Sequence, residues 1–166
     1  MIRYDQNLNP GAGGTASGAD CDPQHDCSQF KPDASTVQAA IDAVRAASPN
    51  LTPEGFGGRG SNSQLGLAEV QTAIAFLQQC QRNKIPNLNS YALKHAAERW
   101  GRRNGMAAYV SNGELIAAGI FVGFEISEPQ GLNVFIGVNR RSVQELDPEC
   151  IWSTSWPGLR HGGRRL

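Results

Sequence analysis

The chain reads as a small α+β protein, with a compact core of three helices closed by a C-terminal β-hairpin and preceded by a flexible N-terminal arm. Three observations predict this. Two helical patterns with an apolar face run over residues 67–81 and 89–103, a nearly uncharged and well-capped third spans 111–123, and two alternating segments, FEI and LNVFIGV, follow. At 166 residues the chain can bury one core of its own but not two large ones.

Residues 1–34 are rich in Gly, Pro, Asn, Asp and Ser and poor in large apolar groups, so little burial offsets the entropy of ordering them. They are expected to form the flexible arm. In STVQAAIDAVRAA, Ser35 and Gln38 stand in capping-box spacing, Val37, Ile41 and Val44 recur at helical period, and Pro49 ends the pattern. Residues 48–66 hold five glycines and two prolines, which argues against any regular element. Residues 35–66 therefore read as a short helix and a Gly/Pro-rich linker, residues 67–149 as the domain proper, and residues 150–166 as a tail. GFGGRG within the linker has glycines like a phosphate loop, but no strand precedes it and no Lys-Ser or Lys-Thr pair follows.

In LAEVQTAIAFLQQCQ, Leu67, Val70, Ile74 and Leu77 make an apolar seam flanked by Phe76 and Cys80, and Pro86 closes the helical region. The next helix starts at Asn89 or Ser90, either of which can cap it, and runs toward Arg103. On that helix Ala92, Leu93, Ala96, Ala97 and Trp100 fall on one side, while Tyr91, Lys94, His95, Glu98 and Arg102 fall on the side expected to be wet. Ser111 and Glu114 then form a capping-box pair and Gly123 supplies a stop. Between them Leu115, Ile116, Ala117, Ala118, Ile120, Phe121 and Val122 surround the axis, which predicts the central helix of the core. Pro129 and Gly131 furnish the turn of the hairpin, RRSVQELD a short last helix, and Trp152 and Trp156 possible anchors for the tail.

The 15 basic and 15 acidic residues cancel, so no global field draws the chain to nucleic acid or membrane. Locally the balance is uneven. Residues 82–105 carry six basic side chains against Glu98 alone, whereas residues 1–81 carry four basic and eight acidic ones. No window reaches the roughly 20 apolar residues that span a bilayer, and MIRYDQNLNPGAGG lacks the features of a signal peptide, so a cytoplasmic protein is expected. Four cysteines in a chain of this size do not make a disulfide scaffold, and free thiols are expected.

Three helices and a hairpin follow the order of a winged helix-turn-helix domain. The stretch SYALKHAAERW, YVSNGELIAAGIFVGF and LNVFIGV also resembles a group of small uncharacterised proteins from bacterial genomes and mobile elements. Their pattern is approximately Ser-Tyr-x-x-Lys-His, then Tyr-x-Ser-Asn-Gly, then an Ile-Ala-Ala helix. The resemblance covers under half the chain and implies a shared fold and a bacterial or phage setting, with no catalytic residue.

Chemistry-bearing residues gather in two places. DCDPQHDC sets Cys21, His25 and Cys27 close together, but Cys-x5-Cys is not a usual zinc spacing and a fourth ligand would have to come from elsewhere, so no metal or other cofactor is expected. Lys94, His95 and Glu98 are acid–base material, yet Lys94–Glu98 and Glu98–Arg102 also read as i,i+4 ion pairs of a solvated helix. The stronger signal is the cluster Arg82, Lys84, Tyr91, Lys94, His95, Arg99, Arg102 and Arg103, which could hold phosphates or an acidic protein surface. The helix that winged-helix order assigns to the major groove offers no Arg or Lys to a base edge, and Glu125 and Glu128 sit in the wing. The expected function is non-enzymatic nucleic-acid binding through the basic helix. A protein-interaction module using that helix or the Trp-containing tail is the alternative, and a hydrolase or metal enzyme comes third.

Overall fold

The computed structural model describes residues 31–58 and 64–150. It is an α+β fold of five helices, α1 (Ala34–Ala47), α2 (Leu67–Gln79), α3 (Ser90–Arg103), α4 (Asn112–Val122) and α5 (Arg140–Leu146), with four two-residue strands. The strands are β1 (Leu51–Thr52), β2 (Gly55–Phe56), β3 (Leu88–Asn89) and β4 (Phe135–Ile136). The arm and tail, with the Cys21, His25 and Cys27 cluster and both tail tryptophans, lie outside the described residues apart from a few at their inner ends.

α4 is the axis of the core. Its residues from Asn112 to Gly119 are all buried, and α1, α2, α3 and the β1–β2 pair pack around it. The capping box forms as the spacing predicts: Ser111 Oγ accepts from Glu114 N, and Glu114 Oε2 accepts from Ser111 N at 2.6 Å. Gly123, with φ at 86°, ends the helix in the left-handed conformation that glycine adopts without strain.

Several expectations are corrected. Asp33, not Ser35, caps α1: its carboxylate accepts from the Thr36 N–H and from the hydroxyls of Ser35 and Thr36. These bonds, the Ser35 hydroxyl first, hold the Asp33 carboxyl well below the usual range. Asp33 and Ala34 thus belong to the fold rather than to an arm. The linker contains structure, because Leu51–Phe56 and Thr52–Gly55 pair as a tight antiparallel ladder. Nor does the domain begin at residue 67: Val37, Ala40, Ile41, Val44 and Leu51 join the same core as α2, α3 and α4.

The expected hairpin pairing is present, from the Ile126–Ile136 bridge to the Gln130–Asn133 bridge, and it gains a strand that the sequence did not announce. β4 pairs with β3, in the register Leu88–Ile136 and Asn89–Phe135, while the FEI segment contributes an isolated bridge from Ile126 to Ile136. Ser127 N donates to Phe135 O and Gly137 N to Glu125 O, so FEI lies on the other side of β4. The physical reason is that NLNSY puts two extended residues before a cap, too short a run to show alternation yet enough to pair. Asn89 is both the second residue of β3 and the N-cap of α3, its side chain accepting from Tyr91 N at 2.9 Å.

Candidate binding face

Ser90 fixes the first turn of α3 in place. Fully buried, it donates its N–H to Val134 O at 2.9 Å and accepts Val134 N–H on Oγ at 3.2 Å. With that residue turned inward, Tyr91 turns outward and is 52% exposed.

Lys94, expected on the wet side, is only 7% exposed. A buried lysine needs a partner, and Nζ lies 3.1 Å from Glu98 Oε1 as the i,i+4 spacing predicts. It also sits 5.1 Å from the ring centre of Tyr91 and 5.7 Å from that of Tyr109, within cation–π range of both. His95 Nδ1 lies 2.8 Å from Glu98 Oε2, and its ring meets Tyr91 edge-on at 4.8 Å between centres. Glu98 receives one bond more, from Val110 N at 3.3 Å, which ties the loop after α3 to the helix and stations Tyr109 beside Lys94. Burial works to raise the Glu98 pKa, but the bonds from His95, Val110 N and Lys94 outweigh it and hold the carboxyl below its ordinary range. The expected Glu98–Arg102 pair is not formed.

On the next flank of α3 the arginines turn to the protein itself. Arg99 sets Nε and Nη2 on Asp147 Oδ2 at 3.0 and 2.7 Å, and Arg103 Nη2 reaches Asp147 Oδ1 at 3.0 Å and Leu146 O at 2.8 Å. Arg103 Nη1 is 4.0 Å from Glu149. Asp147 is wholly buried, so these arginines neutralise it and clasp the end of α5 to α3. The bond to Asp147 raises the Arg99 pKa against an opposing effect of burial. Arg82 donates to Val122 O at 2.6 Å and lies over the Phe124 ring. Lys84 and Arg102 are exposed and form no hydrogen bond or ion pair among the described residues.

Of the eight residues singled out from sequence, Tyr91, Lys94 and His95 thus come together around Glu98, Arg99 and Arg103 serve Asp147, and Arg82, Lys84 and Arg102 stand apart from both groups. Lys94, Arg99 and Arg103 meet Glu98, Asp147 and Glu149, which leaves Arg82, Lys84 and Arg102 without an acidic partner among the described residues, a surplus of three positive charges. Tyr109, 62% exposed, was not among the candidates, although YVSNG places it two residues before the N-cap Ser111. Its role depends on the Glu98–Val110 bond, which no local pattern announces.

The remaining motif residues build the frame. Asn112 Nδ2 donates to Glu54 O at 3.1 Å, Leu132 O at 3.0 Å and Asn133 Oδ1 at 3.0 Å. Gly113 N donates to Pro53 O, and a Cβ at Gly113 would fall 1.8 Å from Thr52 O. Glu98 can orient His95 as it would in an acid–base pair, but among the described residues no nucleophilic side chain hydrogen-bonds that histidine. Cys80 and Cys150 are buried free thiols, and burial pushes that of Cys80 up to about 12, which makes it inert. Among the described residues no cluster could hold a metal ion, and no helix is long and apolar enough to cross a membrane. No protein-family model matches the chain, and comparisons with curated proteins and with solved structures returned no match.

Proposed function

We propose that the chain is a small, non-enzymatic, winged-helix-like protein of bacterial or mobile-element origin that holds nucleic acid by phosphate contacts from the exposed face of α3. The observation that carries this reading is the surplus positive charge along α3 and the loop before it, with Lys84 and Arg102 unpaired and Tyr91 exposed between them in sequence. The order α2, β3, α3, α4 and two further extended segments, with β4 between β3 and Ile126, supports the winged-helix description. The burial of α4 argues that such binding is independent of base sequence, since the helix that winged-helix order assigns to the major groove is enclosed from Asn112 to Gly119.

A protein partner with an acidic surface is the second reading, served by the same unpaired Lys84 and Arg102 together with the exposed rings of Tyr91 and Tyr109, a residue type enriched at protein interfaces. A salt titration of binding to short DNA by fluorescence anisotropy separates the two. The Lys84→Ala/Arg102→Ala double variant is expected to weaken nucleic-acid binding and to reduce the salt slope by roughly one unit per lost contact. These positions are chosen because Arg99 and Arg103 support the fold. Absence of binding at low salt would set the nucleic-acid reading aside in favour of the protein partner.

A further inference from the structure

We infer that the ligand of this face is a single-stranded nucleic acid, with unpaired bases stacked on the rings of Tyr91 and Tyr109. The inference rests on the nucleic-acid reading above and specifies its ligand class.

Two tyrosines more than half exposed offer ring surface to a ligand, and these two are not loose on the surface. The buried Lys94 ammonium lies within 6 Å of both ring centres, and the His95 ring stands perpendicular to that of Tyr91 at 4.8 Å between centres. Glu98 holds Lys94, His95 and the N–H of Val110 together, so one carboxylate sets the positions of both rings. Such rings lose little freedom when a ligand covers them. Their centres are within about 11 Å of each other, so no more than about three nucleotide steps at roughly 3.4 Å each separate them.

Aromatic faces of this kind take bases only from a strand whose bases are free, because in a duplex they are stacked and paired inside. Among the described residues nothing is offered to duplex DNA in compensation: α4 is enclosed from Asn112 to Gly119, and Glu125 and Glu128 put negative charge where a wing would meet a backbone. The charges on the face suit a strand as well. Arg102 lies on the same side of α3 as Tyr91 and His95, eleven residues from Tyr91 or about 16 Å along the axis. It can meet a phosphate while the tyrosines hold bases.

Fluorescence anisotropy at low salt, with a labelled oligothymidylate of about 15 nucleotides and a duplex of equal length, tests this on the full chain. The single strand is expected to bind tighter than the duplex. Tyr91→Ala/Tyr109→Ala should weaken single-strand binding by roughly tenfold or more, while Tyr91→Phe/Tyr109→Phe, which keeps the rings, should bind as the parent does. Thermal melting of each variant ensures that affinity and folding are read separately, and the two single Ala variants stand in if the double one unfolds. Duplex binding equal to or tighter than single-strand binding, or Ala variants that bind unchanged, overturns the stacking inference and leaves phosphate binding intact. Phe variants as weak as the Ala ones overturn it too, since the hydroxyls rather than the rings would then matter. Absence of binding to both probes overturns the parent reading, and this one with it.

Discussion

α3 and α4 follow one another in the chain and both begin with an oxygen-bearing cap, Asn89 or Ser111, yet α3 keeps a polar face in water along its length while α4 is buried from Asn112 to Gly119 and opens to water only in its last turn, at Phe121. In α4 the small residues Gly113, Ala117, Ala118 and Gly119 let neighbours come close: a Cβ on Gly119 would already be 3.3 Å from Ile136 Cδ1. In α3 the small residues Ala96, Ala97 and Gly101 lie on the inner side only, and the outer side holds long polar and aromatic side chains. Cap chemistry starts both helices, but the distribution of small residues around the axis decides how much of each is enclosed. In the proposed reading, the helix that winged-helix order assigns to DNA is the core, and contact falls to its predecessor.

The contrast can be broken or sharpened by experiment. The largest effect is expected in α4, where Ile116→Ala should cost about 2–5 kcal/mol in a urea denaturation series, because Ile116 is fully buried. Tyr91→Ala on α3, an exposed position, should stay within about 0.5 kcal/mol. Equal losses at the two positions would mean that α3 is as enclosed as α4. A smaller effect is expected where α3 meets α5: Asp147→Ala removes the shared partner of Arg99 and Arg103 and should cost about 1–3 kcal/mol, below the full penalty of a buried pair since both guanidinium groups can reach water. An unchanged denaturation midpoint would show that the arginines are free for a ligand after all.

The smallest effect concerns pH. The Glu98 pKa is lower in the folded than in the unfolded chain, so its contribution is complete above the unfolded value and fades as the pH falls through the folded one. Urea midpoints measured from neutral pH down into the acid range should therefore fall less steeply for Glu98→Gln than for the parent. Parallel curves would remove Glu98 from its place as organiser of the face.

Much of this was legible. The caps of α3 and α4, the apolar side of α3 and the central place of α4 follow from spacing alone, because each depends on residues within a turn or two of one another. What escaped prediction depends on distant partners. Lys94 reads as wet by angle, but Tyr109 and Glu98 enclose it. Arg99 and Arg103 read as free cations, but their partner Asp147 lies more than forty residues on, in a segment whose own pattern says only that a short helix ends there. β3 was missed because its two residues cannot display a period, and the β1–β2 pair because glycine and proline, which signal a loop, are also what a tight reversal requires.

The amide of Asn112 joins positions 58 residues before it and 20 and 21 residues after it, all from one buried nitrogen. Contacts that close such long loops form late in folding and are not surrendered lightly, because freeing Leu132 and Asn133 together leaves the two amide hydrogens of a buried nitrogen with one acceptor. The turn between β1 and β2, the loop around Leu132 and the first turn of α4 are thereby bound into one cooperative opening unit. Their slowly exchanging amides should share a single opening free energy, that of the whole molecule, even though two of the three are surface loops whose neighbours would be expected to exchange early.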